Sequence, residues 1–184
     1  MSLTRDLASL GLLKFGEFKL TSGLVSRVYV DLRPLPSHPE TFERVVRNLA
    51  REIRAGGHDA VCGVAVSGLP LAAAVAVTLR LPLLYVRKER KEHGTRSLRE
   101  GLLRPGWDVA VLDDVATTGG SLERAISVLR EAGAVVRRAY VIVDREQGAS
   151  ERLEGLGVTL VSLLRLPDAV EALIECGTLG KSEL

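Results

Sequence analysis

The chain has 184 residues, 46% of them hydrophobic and 26% charged, with a formal net charge of +2. This is the balance of a globular chain of one domain with a real core, and it excludes a disordered chain or one whose global field draws nucleic acid. No stretch approaches the ~20 uninterrupted apolar residues of a membrane helix. The first residues carry Arg5 and Asp6 and no cleavage signal, so neither membrane nor export is expected and the expected location is the cytoplasm.

Residues 1–35 follow no strand-and-helix rhythm and contain Ser22, Gly23, Arg33 and Pro34, with Pro36 just beyond. They read as a cap or hood over the sheet edge. The spacing of Phe42, Val45, Val46, Leu49 and Ile53 predicts a helix over 40–55, stopped by Gly56 and Gly57. Four apolar runs, 59–66, 81–87, 108–113 and 134–144, are rich in Val, Leu and Ala without polar alternation, which predicts strands buried on both faces. Between the second and third of these, residues 88–107 form an unusually long, polar connection, the pattern of a functional lid. The chain's positive charge gathers here, over 87–104. Leu122, Ala125, Ile126 and Leu129 predict a helix over 121–132 with Gly133 as its stop.

Strands alternating with helices predict an α/β fold, a mostly parallel sheet flanked by helices, with ligands bound at the carboxyl ends of the strands. The two cysteines are far apart in sequence and Cys62 falls within a predicted buried strand, so neither a disulfide nor a metal role is expected of Cys62 and Cys176.

The most informative segment is VAVLDDVATTGGS, residues 109–121. An apolar strand runs into two acids, then hydroxyls and glycines, then a helix. Gly119 and Gly120 let backbone approach a ligand, Thr117, Thr118 and Ser121 offer hydroxyls, and the helix start adds open amides and about half a positive charge. That is a site for a phosphate. Asp113 and Asp114, a few residues earlier, are placed to hold sugar hydroxyls or to balance a developing positive charge. Neither GxxxxGK[ST] nor GxGxxG occurs. A plain strand end with a capped helix accounts for Ser121 and the glycines, but not for two adjacent acids closing a buried strand.

At these residues the chain resembles the type I phosphoribosyltransferases, whose motif for 5-phosphoribosyl 1-pyrophosphate is a hydrophobic strand, two acids, a short spacer, Thr and Gly. Asp113, Asp114, Thr117, Thr118 and Gly119 match it. Residues 87–94, RKERKEHG, look like the mobile catalytic loop of the orotate phosphoribosyltransferases, and residues 144–148, DREQG, look like their orotate-contact segment. Residues 18–33, with LTSG, Ser26, Tyr29 and Asp31, resemble the same family's hood. The likeness covers about residues 18–148. Two positions depart from it: many members carry a lysine where Thr21 stands, and some carry one where Ser67 stands in GVAVSGLP, residues 63–70. Lys19 lies two positions from Thr21, on the same face of an extended strand.

The resemblance implies the type I phosphoribosyltransferase fold with a small N-terminal hood. It also implies a Mg²⁺-dependent transfer of phosphoribosyl to orotate in pyrimidine biosynthesis, through a transition state of oxocarbenium character. Lys91, His93, Asp113 and Asp114 are the implied catalytic residues, with Lys91 foremost. The implied donor site comprises Arg87, Lys88, Lys91 and His93, the acids Asp113 and Asp114, and the loop Val115, Ala116, Thr117, Thr118, Gly119, Gly120 and Ser121. Orotate falls to Thr117, Arg145 and Tyr29, and Mg²⁺ is held mainly through substrate. Tyr29 reads equally as a core aromatic, and Arg145 as an ion-pair partner of Asp144 or Glu146. The family also implies a homodimer whose mobile loop reaches the partner's site. Two other functions fit the same motifs: transfer to a purine or another base, which would leave Arg145 without a carboxylate to bind, and a non-catalytic nucleotide-sensing regulator.

Overall fold

The computed structural model describes residues 2–19, 25–87 and 98–180. Its main sheet has seven strands: β3 (Ala60–Val64), β4 (Leu83–Val86), β5 (Arg99–Glu100), β6 (Val109–Leu112), β7 (Val115–Ala116), β8 (Arg138–Asp144) and β9 (Thr159–Arg165). The spatial order runs β5, β4, β3, then β6 and β7 along one line, then β8 and β9. All pairings are parallel except β4 with β5. β3 and β6 are buried along their whole length, as a sheet covered on both faces requires. Cys62 lies wholly buried within β3, where desolvation pushes its thiol up to about 12.

Helix α2 (Pro39–Gly56) and helix α4 (Gly120–Glu131) are the two that periodicity predicts. α2 buries Val45, Val46, Leu49 and Ile53, each burial being worth roughly 1.5–3 kcal/mol, and it ends where Gly57 turns left-handed at φ 70°. α4 buries Leu122, Ala125, Ile126 and Leu129 on the other face of the sheet. α3 (Gly68–Leu79) is apolar almost all round, so it carries no 3.6-residue signal, yet it packs on β3 and α2.

The N-terminal segment is α1 (Leu3–Ser9) and a separate antiparallel hairpin, β1 (Leu13–Lys19) with β2 (Val25–Val30). A short 3-10 turn, Leu35–Ser37, leads into α2. Leu7, Leu12, Leu13, Val28, Leu32 and Leu35 join the core shared with α2 and α6 (Leu166–Glu175). The segment therefore does not lie along an edge strand: Leu32, Arg33 and Pro36 face the carboxyl ends of β3, β4 and β6. The polar connection 88–107 is also shorter than it reads, because Arg99 and Glu100 pair with Val86 and Tyr85 as edge strand β5. No helix among the described residues is long and apolar enough to cross a membrane.

Candidate active site at the carboxyl ends of the strands

β6 and β7 form one strand line broken at Asp113 and Asp114. β6 pairs with the start of β8, Val111 opposite Ala139, and β7 with its end, Val115 opposite Val143. At the break Asp113 N donates to Tyr140 O at 3.1 Å, and Asp114 O accepts from the amides of Ile142 and Val143 at 3.0 and 3.2 Å. The backbone of both acids is thus fixed by β8 at the break between β6 and β7.

Asp113 is 6% exposed. Its Oδ1 accepts from Asp114 N at 2.9 Å and from Ser67 Oγ at 3.4 Å. Burial first, and then the neighbouring charge of Asp114, push its carboxyl well above the usual carboxylate range. Asp114 is half-buried and its Oδ1 accepts from Val115 N at 2.9 Å. Ser67 reaches Asp113 because α3 starts hard against β6: a Cβ on Gly68 would stand 2.6 Å from Leu112 O. Only glycine permits that approach.

After β7 comes the loop that the sequence reads as a phosphate site. Gly119, at φ 79°, precedes α4 and brings no capping side chain, so the first amides of the helix open toward the loop. Its Cβ would also meet Ala149 Cα at 3.2 Å, whereas Gly120 faces open space. The two glycines therefore do different things: Gly119 is required by backbone conformation and by packing on α5 (Ala149–Glu154), and Gly120 leaves room. Ser121 is not the helix cap but lies inside the first turn, exposed.

Two cavities meet here. One, of about 270 Å³, is lined by Asp113, the loop from Val115 to Ser121, Leu122 and Arg124. The other, of about 520 Å³, runs from Asp113, Ser121 and Arg124 across Val64 to Ser67 and Pro70, to Val86 and Arg87 on β4, and to Leu32, Arg33 and Pro36. The structure thus brings together Arg87, Asp113 and the loop through Ser121. Arg87 is held by Glu100 at 3.1 Å. Lys88, Lys91 and His93, with Lys19's side chain and Thr21, lie outside the described residues.

Arg145 is tied to the site by its backbone, its N donating to Ala116 O at 2.9 Å. The side chain turns to the hairpin, where Nη2 donates to Val28 O at 3.5 Å, and it lines a separate cavity of about 680 Å³ with Val28 and α6. Burial lowers the pKa of its guanidinium. The two acids that could have claimed it are engaged elsewhere: Glu146 with Arg165, and Asp144 with Glu146 N and Ser150 Oγ. Tyr29 stacks on Phe18 at 5.5 Å between ring centroids, and its hydroxyl accepts from Arg33 Nη2 at 3.5 Å. Sequence reading passed over Arg33 and Arg124 as site residues. Arg124 had a legible signal, three residues after Ser121 on one helix face.

The residues present suit Mg²⁺ in one specific way. Among the described residues no cluster of three or more His, Cys, Asp or Glu could hold a metal, but a buried acid with an acid neighbour is a pair that a cation relieves. Mg²⁺ is commonly held by one or two carboxylates with substrate phosphates completing its shell.

The model of the phosphoribosyl transferase domain family matches residues 37–162. An orotate phosphoribosyltransferase of Sulfolobus acidocaldarius is 42% identical over 183 residues, covering 100% of this chain and 92% of the relative. The crystal structure of orotate phosphoribosyltransferase from Aeropyrum pernix superposes with a TM-score of 0.80 at 40% identity, covering 97% of this chain and 100% of that one. The Mycobacterium tuberculosis orotate phosphoribosyltransferase in complex with 5-phospho-α-D-ribosyl 1-diphosphate superposes with a TM-score of 0.72 at 30% identity, over 91% of this chain and 99% of that one. With the acid pair, the open helix start and the hairpin already in place, these matches mean that the chain belongs to the phosphoribosyltransferase family, among its orotate phosphoribosyltransferases.

Proposed function

We propose that the chain transfers phosphoribosyl from 5-phosphoribosyl 1-pyrophosphate to orotate, giving orotidine 5'-phosphate and pyrophosphate, in the cytoplasm. One observation carries this reading: a buried carboxylate of raised pKa, with a second acid beside it, opens into the same cavity as an uncapped helix start.

The 5-phosphate lies in the loop, accepting from the hydroxyls of Thr117, Thr118 and Ser121 and from the backbone between Val115 and Gly120. The ribose hydroxyls then donate to Asp113 and Asp114. The bond from the anomeric carbon to pyrophosphate breaks as a ring nitrogen of orotate, its proton given up to solvent, bonds to that carbon, and pyrophosphate leaves with the electron pair. The acid pair faces the positive charge that develops on the ribose, an electrostatic task for fixed groups in a partly dry site. Asp113 and Asp114 are the carboxylates that would share Mg²⁺ with the donor's oxygens, and the ion supplies charge neutralisation on the departing pyrophosphate. Arg87, Lys88, Lys91 and His93 add to that neutralisation, Lys91 foremost. Arg145 binds the orotate carboxylate, with Thr117 and Tyr29 beside the ring. The active form is a homodimer in which Lys91 and His93 serve the neighbouring subunit's site.

The test is pyrophosphate release by the purified chain with the donor, Mg²⁺ and a panel of orotate, uracil, adenine and hypoxanthine. Release with orotate alone is expected, and Arg145→Ala lowers kcat/KM for orotate about ten- to a hundredfold while donor affinity holds. Preference for a purine would overturn the acceptor, and no release with any base would leave a nucleotide-sensing role.

A further inference from the structure

The two cavities of the site share three lining residues, Asp113, Ser121 and Arg124. Asp113 is a buried acid and Ser121 a neutral hydroxyl, so Arg124 is the cation that both cavities have in common. In the smaller cavity it is the only basic side chain among the described lining residues, the remaining walls being loop backbone, hydroxyls, apolar groups and Asp113. A phosphate dianion there would otherwise face an acid, with only neutral donors to balance it. Helix geometry explains the placement: Arg124 follows Ser121 by three residues in the first turn and a half of α4, so its long side chain projects from the face that carries the Ser121 hydroxyl. In the larger cavity the other basic linings are Arg33, on the hairpin side, and Arg87, at the end of β4.

We propose that Arg124 is a donor-binding residue, its guanidinium bonding the 5-phosphate of the donor where the phosphate cavity opens into the larger one. This rests on the function proposed above. A planar guanidinium at that mouth reaches two phosphate oxygens at once, which a lysine ammonium does not reproduce. The residue thereby fixes the end of the donor remote from the bond that breaks, and its loss shows in binding of the donor before it shows in the chemical step.

The experiment measures binding of ribose 5-phosphate, pyrophosphate and orotate by calorimetry, with steady-state kinetics, for the wild type, Arg124→Gln and Arg124→Lys. For Arg124→Gln the expected result is a dissociation constant for ribose 5-phosphate and a KM for the donor raised about tenfold or more. The KM for orotate stays within about twofold and Tm is unchanged, since Arg124 is exposed on α4. Arg124→Lys recovers part of the loss. Ribose 5-phosphate binding within twofold of wild type overturns the proposal, as does weakening confined to pyrophosphate or shared equally by orotate. Should the wild type transfer to no base, the proposed reaction fails, while ribose 5-phosphate binding still decides the role of Arg124.

Discussion

Strand β6 is flanked by two buried acids, Asp108 just before it at 5% exposure and Asp113 just after it at 6%. Their surroundings are opposite. Asp108 Oδ2 receives Arg137 through Nε at 3.1 Å and Nη2 at 2.6 Å, and lies 3.1 Å from His58 Nδ1, whose Nε2 is 2.8 Å from the Tyr140 hydroxyl. Asp59 Oδ2 in turn accepts Asp108 N at 2.9 Å. Asp113 has a hydroxyl, an amide and another acid. At the amino end of the strand a basic side chain stands against the buried acid, whereas at the carboxyl end Asp113 has a second acid beside it. On the function proposed above, the contrast separates an acid that holds the fold from an acid that meets the substrate.

Substitution at each end should break that contrast in opposite ways. At the carboxyl end, Asp113→Asn or Asp114→Asn lowers kcat/KM by about 100- to 1,000-fold, the usual loss when a preorganised electrostatic group is removed. Asp113 is raised above its unfolded value by folding, so its stabilising contribution is present below that value and is lost as pH rises through the folded pKa. At neutral pH, therefore, Asp113→Asn keeps or raises Tm while activity collapses, and calorimetry beside the assay checks it. A lowered Tm would make Asp113 structural.

At the amino end, Asp108→Ala leaves the buried His58 without its acid and costs about 2–3 kcal/mol, a fall in Tm of roughly 4–12 °C. Arg137 contributes little to this loss, being 65% exposed and rehydrated when the pair is broken. Substrate KM values of the folded fraction stay unchanged. A loss of catalysis without loss of Tm would erase the distinction between the two ends.

The smallest effect sharpens the comparison through pH. Desolvation lowers the His58 pKa, outweighing the opposing charge and hydrogen bond of Asp108, with Arg138 and Arg137 lowering it further. A histidine depressed in the folded state contributes stability above its unfolded value near 6.5, and this is lost as pH falls through that value toward the folded one. Tm should decline over that window, and His58→Gln should flatten the decline. An unchanged slope would show that other groups set it.

Much of the candidate site was legible because it is local in sequence. The acids, hydroxyls and glycines of residues 113–121 sit on one strand-to-helix turn, so their order along the chain is nearly their order in space. The helices α2 and α4 were legible because each is buried on one face only. α3 was not, since a helix apolar on every side has no period, nor was β9, whose inner residues are only half-buried at the sheet edge. The hairpin β1–β2 escaped as regular structure because it belongs to no part of the main sheet and its register shifts between Phe15 and Phe18.

The sequence by itself determined the composition at the carboxyl end of β6: two acids, a loop of hydroxyls and glycines and a helix start can be placed without knowing what packs around them, since bonded neighbours set their geometry. Tertiary structure alone decided what each charge faces. It set Ser67 against Asp113 through the close approach at Gly68, turned Arg145 toward Val28 and α6, and brought Arg33 and Arg124 to the lining of one cavity. It also gathered His58, Asp108, Arg137 and Tyr140, which span 83 positions of chain, into one network at the amino end of β6. Spacing along a chain reports local periodicity, whereas the compensation of a buried charge depends on strands that meet only when the sheet closes.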